Sequence, residues 1–510
     1  MRSTTILLTS LAACPLFLVT ASNILARSAP GNHVLALDFD RQRLPGHGHG
    51  RSSTRVGKRT VQSALDNGQL MYYMDVAVGT PPQKLRLQID TGSSDIWIPS
   101  AKSKFCSSSE KPCTDGSYNP DLSTSRKLIS RDSFDISYVD NTSASGDFIT
   151  EVFSFGNCTL DDIQMGLGVK TDIPAGIVGI GYPENSVSEV PYPSLVEILV
   201  SKRFINSRAY SLYLNSQEAA KGSILFGGID TKKYSGELVG LPLQIDKKAK
   251  KVVDFTIILD SVSFIDNNGT EKIVSPRKHE VILDSGSSIT YLPNSTVAPI
   301  AQQFGGAWDG DLQSFVVPCS LSSNHKDFVT YRFGGPNGAK IDISASELTN
   351  YVLDTNGDIF TDEDGNTICT LGLQPATFDL DDKYIFGDTF LRSAYVVYDL
   401  DGEMVWMGQT VFNSTESNIL EIGDSTRTKS GVPQVEGLEI SNTTATPTTL
   451  DKALPTSSPT HASTSVAEVA TTGAAQPTGQ THLNSGLRVQ NSGLFGLAVG
   501  IVGCIAGTMI

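Results

Sequence analysis

Two short stretches carry the residues that could do chemistry. The first is Asp90-Thr91-Gly92-Ser93-Ser94, running on through Asp95-Ile96-Trp97-Ile98-Pro99. The second, 194 positions later, is Asp284-Ser285-Gly286-Ser287-Ser288. In each, an acid is followed by a small hydroxyl, a glycine and another hydroxyl. Glycine lets the backbone turn tightly and bring its N–H close to a carboxylate, and the hydroxyls can donate to it. Two carboxylates held in this way and brought to one place cannot both ionise, so they share a proton. That is equipment for general acid–base work on a bound water.

The elements around the two stretches repeat as well. Leu85, Leu87 and Ile89 lead into the first acid, and Val281, Ile282 and Leu283 into the second, so each acid ends a buried strand. About 90 to 100 residues after each acid comes an apolar-apolar-Gly segment, Ile177-Val178-Gly179 and Ile385-Phe386-Gly387. One such tetrapeptide is a turn; two in matching settings are an internal repeat. Elsewhere in the body, Met71–Val78, Phe134–Tyr138, Tyr210–Leu214, Ser223–Phe226, Val253–Leu259 and Tyr395–Tyr398 read as strands. The best helix is Tyr192–Ser201, with Leu195, Ile198 and Leu199 on one face after Pro193. An all-β, two-lobe body follows, with lobes at 60–240 and 241–412.

These residues resemble the pepsin-like aspartic proteases, in particular the fungal secreted and surface-anchored ones (candidapepsins, yapsins and their relatives). The resemblance covers roughly 68–412. Its carriers are Gly79-Thr80-Pro81-Pro82-Gln83, Asp90 to Pro99, and Gly387-Asp388-Thr389-Phe390-Leu391-Arg392 followed by Val396-Val397-Tyr398-Asp399. Asp95 stands where several members carry Asn. The resemblance implies a bilobal endopeptidase in which Asp90 and Asp284 activate water. The ionised carboxylate takes a proton from the water, and the protonated one polarises the scissile carbonyl. The gem-diol then collapses as the pair protonates the leaving amine, with no covalent intermediate, metal or cofactor. Thr91 and Ser285 would cross-link the two loops; Ser93, Ser287 and the N–H groups of Gly92 and Gly286 would hold the carboxylates. The hairpin at Phe134–Phe155 corresponds to the flap over the substrate. Tyr138 matches its tyrosine, bonded to the Trp97 indole. Val139 departs from the pattern, standing where many members have glycine. Asp140, two residues past Tyr138, reads either as an acid facing a Lys or Arg next to the scissile bond or as a solvated acid of the hairpin tip. The implied disulfides are Cys106–Cys113 and Cys319–Cys369, with Cys158 left as a buried thiol.

Rival chemistries lack their residues. The body offers His279 and His325 but no His-Glu-x-x-His, and no Gly-x-Ser-x-Gly. The formal net charge of −15 leaves no basic stripe for phosphates, so nucleic acid is not an expected partner. The alternative from another class is a non-catalytic wall or adhesion protein on a protease scaffold.

The ends of the chain read differently. Residues 1–22 form a signal peptide: Arg2, the apolar stretch Ile6–Ala21 and small residues after it. Residues 23–59 are expected to be a basic pro-segment and internal inhibitor, ending at Lys58-Arg59, the kind of site a kexin-like protease cuts. From 413 to 484 Ser, Thr and Pro dominate, too polar to fold and suited to an O-glycosylated stalk. The uncharged apolar end Leu494–Ile510 behind Asn484-Ser485-Gly486 makes 485–510 a GPI signal, with lipid attached at Asn484. Asn-x-Ser/Thr patterns occur at Asn141, Asn157, Asn268, Asn294, Asn413 and Asn442; Asn141 and Asn157 are the least suited to carry a glycan. The protein expected is a secreted, surface-anchored monomer acting on polypeptides.

Overall fold

Strand after strand in this chain alternates its side chains between two different apolar environments. In the computed structural model, residues 33–43 and 70–423 are described, apart from 111, 220, 354–358, 363 and 379. β2 (Leu70–Val78) shows the pattern: Tyr72, Met74, Val76 and Val78 enter the main core, while Met71 and Tyr73 join a second cluster with Trp97 and Tyr138. Regular structure is nearly all strand, with three α-helices among the described residues.

Thirteen strands form one long sheet. Its core is β1 (Leu35–Arg43), β2 and β3 (Gln83–Asp90) in sequence, continued by β8 (Gly176–Gly179), β4 (Ile96–Pro99), β7 (Cys158–Thr171), β6 (Ser143–Phe155) and β5 (Lys127–Ser137). On the other side of β1 follow β10 (Lys221–Phe226) and β9 (Ala209–Tyr213). Beyond them lie strands 394–399, 404–410 and 234–242, so two strands from the C-terminal end of the body complete a sheet begun by its N-terminal half. A separate six-stranded sheet carries Thr256–Ile265 and His279–Leu283, with Lys383–Phe386 at its edge.

Element boundaries have local causes. β5 starts seven residues ahead of Phe134: its first part, Lys127 to Ser133, has no buried residue, and its apolar pair Leu128-Ile129 is exposed and breaks the alternation that marks a half-buried strand. The strand expected from Val253 begins at Thr256. Asp254 turns the chain there: its Oδ1 accepts from Thr256 N at 3.1 Å, and its Oδ2 meets Lys383 Nζ at 2.8 Å. Helix α1 (Leu195–Ser201) is fixed by a capping box, Ser194 and Glu197 each bonding the other's backbone N–H. Both disulfides are formed, Cys106–Cys113 and Cys319–Cys369, and Cys158 is a buried free thiol.

β1 is the element the sequence did not announce. Leu35, Leu37 and Phe39 are buried, and the strand is paired on both sides, Leu35↔Phe226 with β10 and Arg43↔Leu70 with β2. The segment read as a pro-segment therefore contributes an interior strand. The stalk expected from 413 does not start there: Ile419–Glu421 pair with Gly228–Asp230 and Ile422 is buried, because this segment keeps enough apolar side chains to dock on the body. The signal peptide, Lys58-Arg59, Asn442, the expected stalk from 424 on, Asn484 and the apolar end lie outside the described residues.

Candidate active site

β3 delivers Asp90, and the strand His279–Leu283 delivers Asp284. Each lies parallel to one of the apolar-apolar-Gly segments: Asp90↔Gly179 in the large sheet, Leu283↔Phe386 in the smaller. The backbone continues the match on both sides. Ile180 N donates to Asp90 O at 2.9 Å, and Asp284 N donates to Phe386 O at 3.0 Å. The two repeats thus build the same strand–acid–loop unit twice.

Four reciprocal bonds tie the two loops together. Thr91 Oγ1 donates to Leu283 O (2.9 Å) and accepts from Ser285 N (2.9 Å). Ser285 Oγ donates to Ile89 O (3.0 Å) and accepts from Thr91 N (3.1 Å). Each hydroxyl is both donor and acceptor, so none of these buried groups is left unpaired.

The carboxylates are held in parallel fashion. Asp90 accepts from Gly92 N at 2.7 Å and from Ser93 Oγ; Asp284 accepts from Gly286 N at 2.8 Å and Ser287 Oγ at 2.9 Å. Both residues are fully buried. The glycines are required by contact across the pair: a Cβ on Gly92 would strike the Asp284 carboxylate, and one on Gly286 would strike that of Asp90. Burial raises the pKa of Asp90, opposed by the bonds from Ser93 and Asp284. Burial also raises Asp284 well above the ordinary carboxylate range, and the Asp90 charge adds to it. The pair therefore keeps one proton where isolated aspartates have lost theirs, and that proton belongs to the pair.

The flap closes one side. β5 and β6 pair from Lys127↔Thr150 to Ser137↔Ser143, and Trp97 Nε1 donates to Tyr138 Oη at 2.8 Å. Burial keeps the Tyr138 phenol protonated. Asp140 is half-buried at the tip; its Oδ1 accepts from Thr142 N (2.9 Å) and Thr142 Oγ1 (2.7 Å). Asn141 beside it, and Asn157, Asn268, Asn294 and Asn413 elsewhere, are exposed.

Three supporting residues were not singled out from the sequence. Gln88, buried next to the first acid, donates from Nε2 to Gly286 O at 3.0 Å and so joins the two loops again. Its burial had no signal, since Gln88 falls at a polar place in the alternation Leu85-Arg86-Leu87-Gln88-Ile89. Ser186 and Tyr192 hold Asp95 (Ser186 Oγ 2.7 Å, Tyr192 Oη 2.6 Å), with Val187 N at 2.9 Å. Nothing in the spacing points to them, since they lie more than ninety positions away. Asp388 in the C-terminal motif is buried, with neither carboxylate oxygen hydrogen-bonded among the described residues, and burial raises its pKa well above the ordinary range. Arg392, one helical turn on, donates to Glu347 Oε2 at 2.8 Å and Glu347 O at 2.6 Å.

A bilobal β-fold presenting two hydrogen-bonded aspartates on twin loops defines the aspartic protease class. Residues 71–410 match the eukaryotic aspartyl protease family, and the chain belongs to that family. It is 42% identical over 377 residues to a probable aspartic-type endopeptidase, opsB, of Aspergillus fumigatus, covering 72% of this chain and 74% of the relative. The Aspergillus oryzae opsB protein is 40% identical over 424 residues, 82% of this chain and 84% of its own. Secreted aspartic protease 1 of Candida albicans is 33% identical over 402 residues, 77% and 94%. The protein is an aspartic-type endopeptidase acting on polypeptides, with a pepsin-like all-β fold. Among the described residues no helix is long and apolar enough to cross a membrane.

Proposed function

We propose that Asp90 and Asp284 act as one unit that activates water against peptide bonds in acid. The observation that carries this is the buried pair of carboxylates held by matching, cross-linked loops. The ionised member takes a proton from the water while the protonated member polarises the carbonyl; attack yields a gem-diol, and the pair protonates the departing amine. Thr91 and Ser285 fix the loops; Gly92, Gly286, Ser93 and Ser287 hold the carboxylates. Peptide cleavage by the purified protein, abolished by pepstatin, tests the reading; cleavage indifferent to pepstatin would overturn it.

Asp140 gives the cleft a preference for Lys or Arg beside the scissile bond. Burial raises its pKa, so pairing with a cation strengthens as pH rises. Asp140→Ala should slow basic-site peptides more than apolar ones. Equal loss on both would remove the idea.

The chain is exported, trimmed after Arg59 to begin at Thr60, and attached by glycolipid at Asn484. The relatives called secreted, the leader and the apolar end support this reading. Exposed Asn268, Asn294 and Asn413 suit glycans, and the enzyme works as a monomer. Terminal sequencing should start at Thr60, and phosphatidylinositol-specific phospholipase C or glucan digestion should release the protein. Release by detergent alone would count against the anchor.

A further inference from the structure

Val139 stands at the tip of an exposed hairpin, yet it is only 7% exposed. Its neighbours explain the burial. Phe134, Ile136 and Tyr138 alternate into the cluster around Trp97, in the N-terminal half. Val139, one residue on, belongs instead to a cluster with Ile282, Ile289, Tyr291, Leu380 and Ile385. All five come from the C-terminal half. Ile282 lies two residues before Asp284, and Ile385 two before Gly387, so this apolar wall flanks the carboxylates. Phe378 packs edge-on against Tyr291 and backs it, ring centroids 5.1 Å apart. Successive side chains of the flap thus reach opposite walls of the cleft.

The tip is built to hold that pose. Tyr138 N donates to Thr142 O at 2.9 Å, Asn141 N to Tyr138 O at 3.0 Å, and Asn141 takes a left-handed φ of +67°. Asp140 Oδ1 closes the loop through Thr142. The tip is therefore a self-contained turn that moves as a unit, with Val139 as its contact across the cleft. The pose also carries a cost: Asp140 Oδ2 is buried with no hydrogen-bond partner. An apolar contact on one residue and an unpaired carboxylate oxygen on the next make a closure that a ligand can reverse.

We propose that Val139 is a latch. Its side chain occupies the apolar wall of Ile289, Tyr291 and Leu380, and an apolar substrate side chain entering that wall must displace it. Glycine at this position has no side chain to seat and cannot latch. Val139 thus sets a threshold: substrates with a large apolar group at this wall open the flap, and those with a small group there compete poorly. The inference rests on the two-carboxylate reading only for its kinetic arm.

Two variants separate the latch from backbone effects. Val139→Thr keeps the shape and places a hydroxyl against the apolar wall; Val139→Gly removes the side chain. Hydrogen–deuterium exchange of residues 134–146 in the full protein, read without substrate, should speed up in both, by about tenfold, the ratio that burial of one valine supports. KM for apolar-site peptides should fall several-fold in both, and the wild-type disadvantage of small-residue peptides should shrink. Unchanged exchange in both variants overturns the latch whether or not the protein cleaves peptides. Faster exchange with a raised KM also overturns it, because Val139 would then be a substrate contact. Absence of cleavage by the wild type would sink the two-carboxylate reading and leave the exchange result standing.

Discussion

At Asp90 and Asp284 the chemistry depends on a proton that neither residue owns. Asn at either position keeps the size and much of the hydrogen bonding and removes the titratable group. We expect Asp90→Asn and Asp284→Asn each to lower kcat by about three orders of magnitude or more, with the double variant little worse, because groups acting as a unit are not additive. Steady-state kinetics on one peptide checks this; substantial cleavage by Asp284→Asn with pepstatin sensitivity intact would falsify the dyad. The pH profile should be bell-shaped. Its acid limb is loss of the ionised member and its alkaline limb loss of the shared proton. Burial raises both pKa values, so the alkaline limb lies above the ordinary aspartate range. Tyr138→Phe removes the acceptor of the buried Trp97 N–H and should cost about 1–3 kcal/mol of stability, read from denaturant unfolding.

At the scale of elements, rigidity comes from cross-links between segments distant in sequence. The Cys319–Cys369 bridge closes a span of 50 residues around strands 328–333 and 339–344. Replacing both cysteines by serine should destabilise the body by roughly 2–4 kcal/mol, seen as a lower denaturation midpoint with a steeper slope, because the unbridged unfolded chain exposes more surface. A loss below half a kcal/mol would mean that the strand pairing alone fixes this region. The Cys158 thiol is a different case: burial pushes it up to about 11, so it should resist alkylation in the native state.

At the scale of the whole molecule, the buried carboxylates make stability depend on pH. Asp90, Asp284, Asp388 and Asp399 all have raised pKa values, Asp399 from 3.8 to about 6. Between the unfolded and folded values the native state binds more protons than the unfolded one, so stability falls as pH rises. For Asp399 the contribution is full below 3.8 and is lost through about 6; for Asp284 and Asp388 the loss continues higher. Glu151, Asp246 and Glu271 act in the opposite sense, with lowered values that favour the fold at higher pH. Asp246 and Glu271 are nearer solvent and more screened, and only Glu151 of the three is buried, so the buried set with raised values dominates. Calorimetry should therefore show the melting temperature dropping from pH 4 to pH 7, while self-repulsion of the −15 net charge adds to the fall. A melting temperature that rose over this range would contradict the assignment.

The sequence by itself determined the two acids, the hydroxyls and glycines around them, and the strands that carry them. These are local matters: an apolar run fixes a strand, and a small residue permits a tight turn. It also marked the partner segments, Ile177-Val178-Gly179 and Ile385-Phe386-Gly387, because the unit is repeated and a repeat is visible without coordinates. It did not show that Gln88 would bond Gly286, that Ser186 and Tyr192 would hold Asp95, or that Leu35–Arg43 would be an interior strand. Nor did it show where Val139 would seat. Those outcomes depend on which surfaces meet when two halves close on each other. A hydrogen bond across 198 positions leaves no periodicity in the chain, and an apolar residue looks the same whichever wall it packs against.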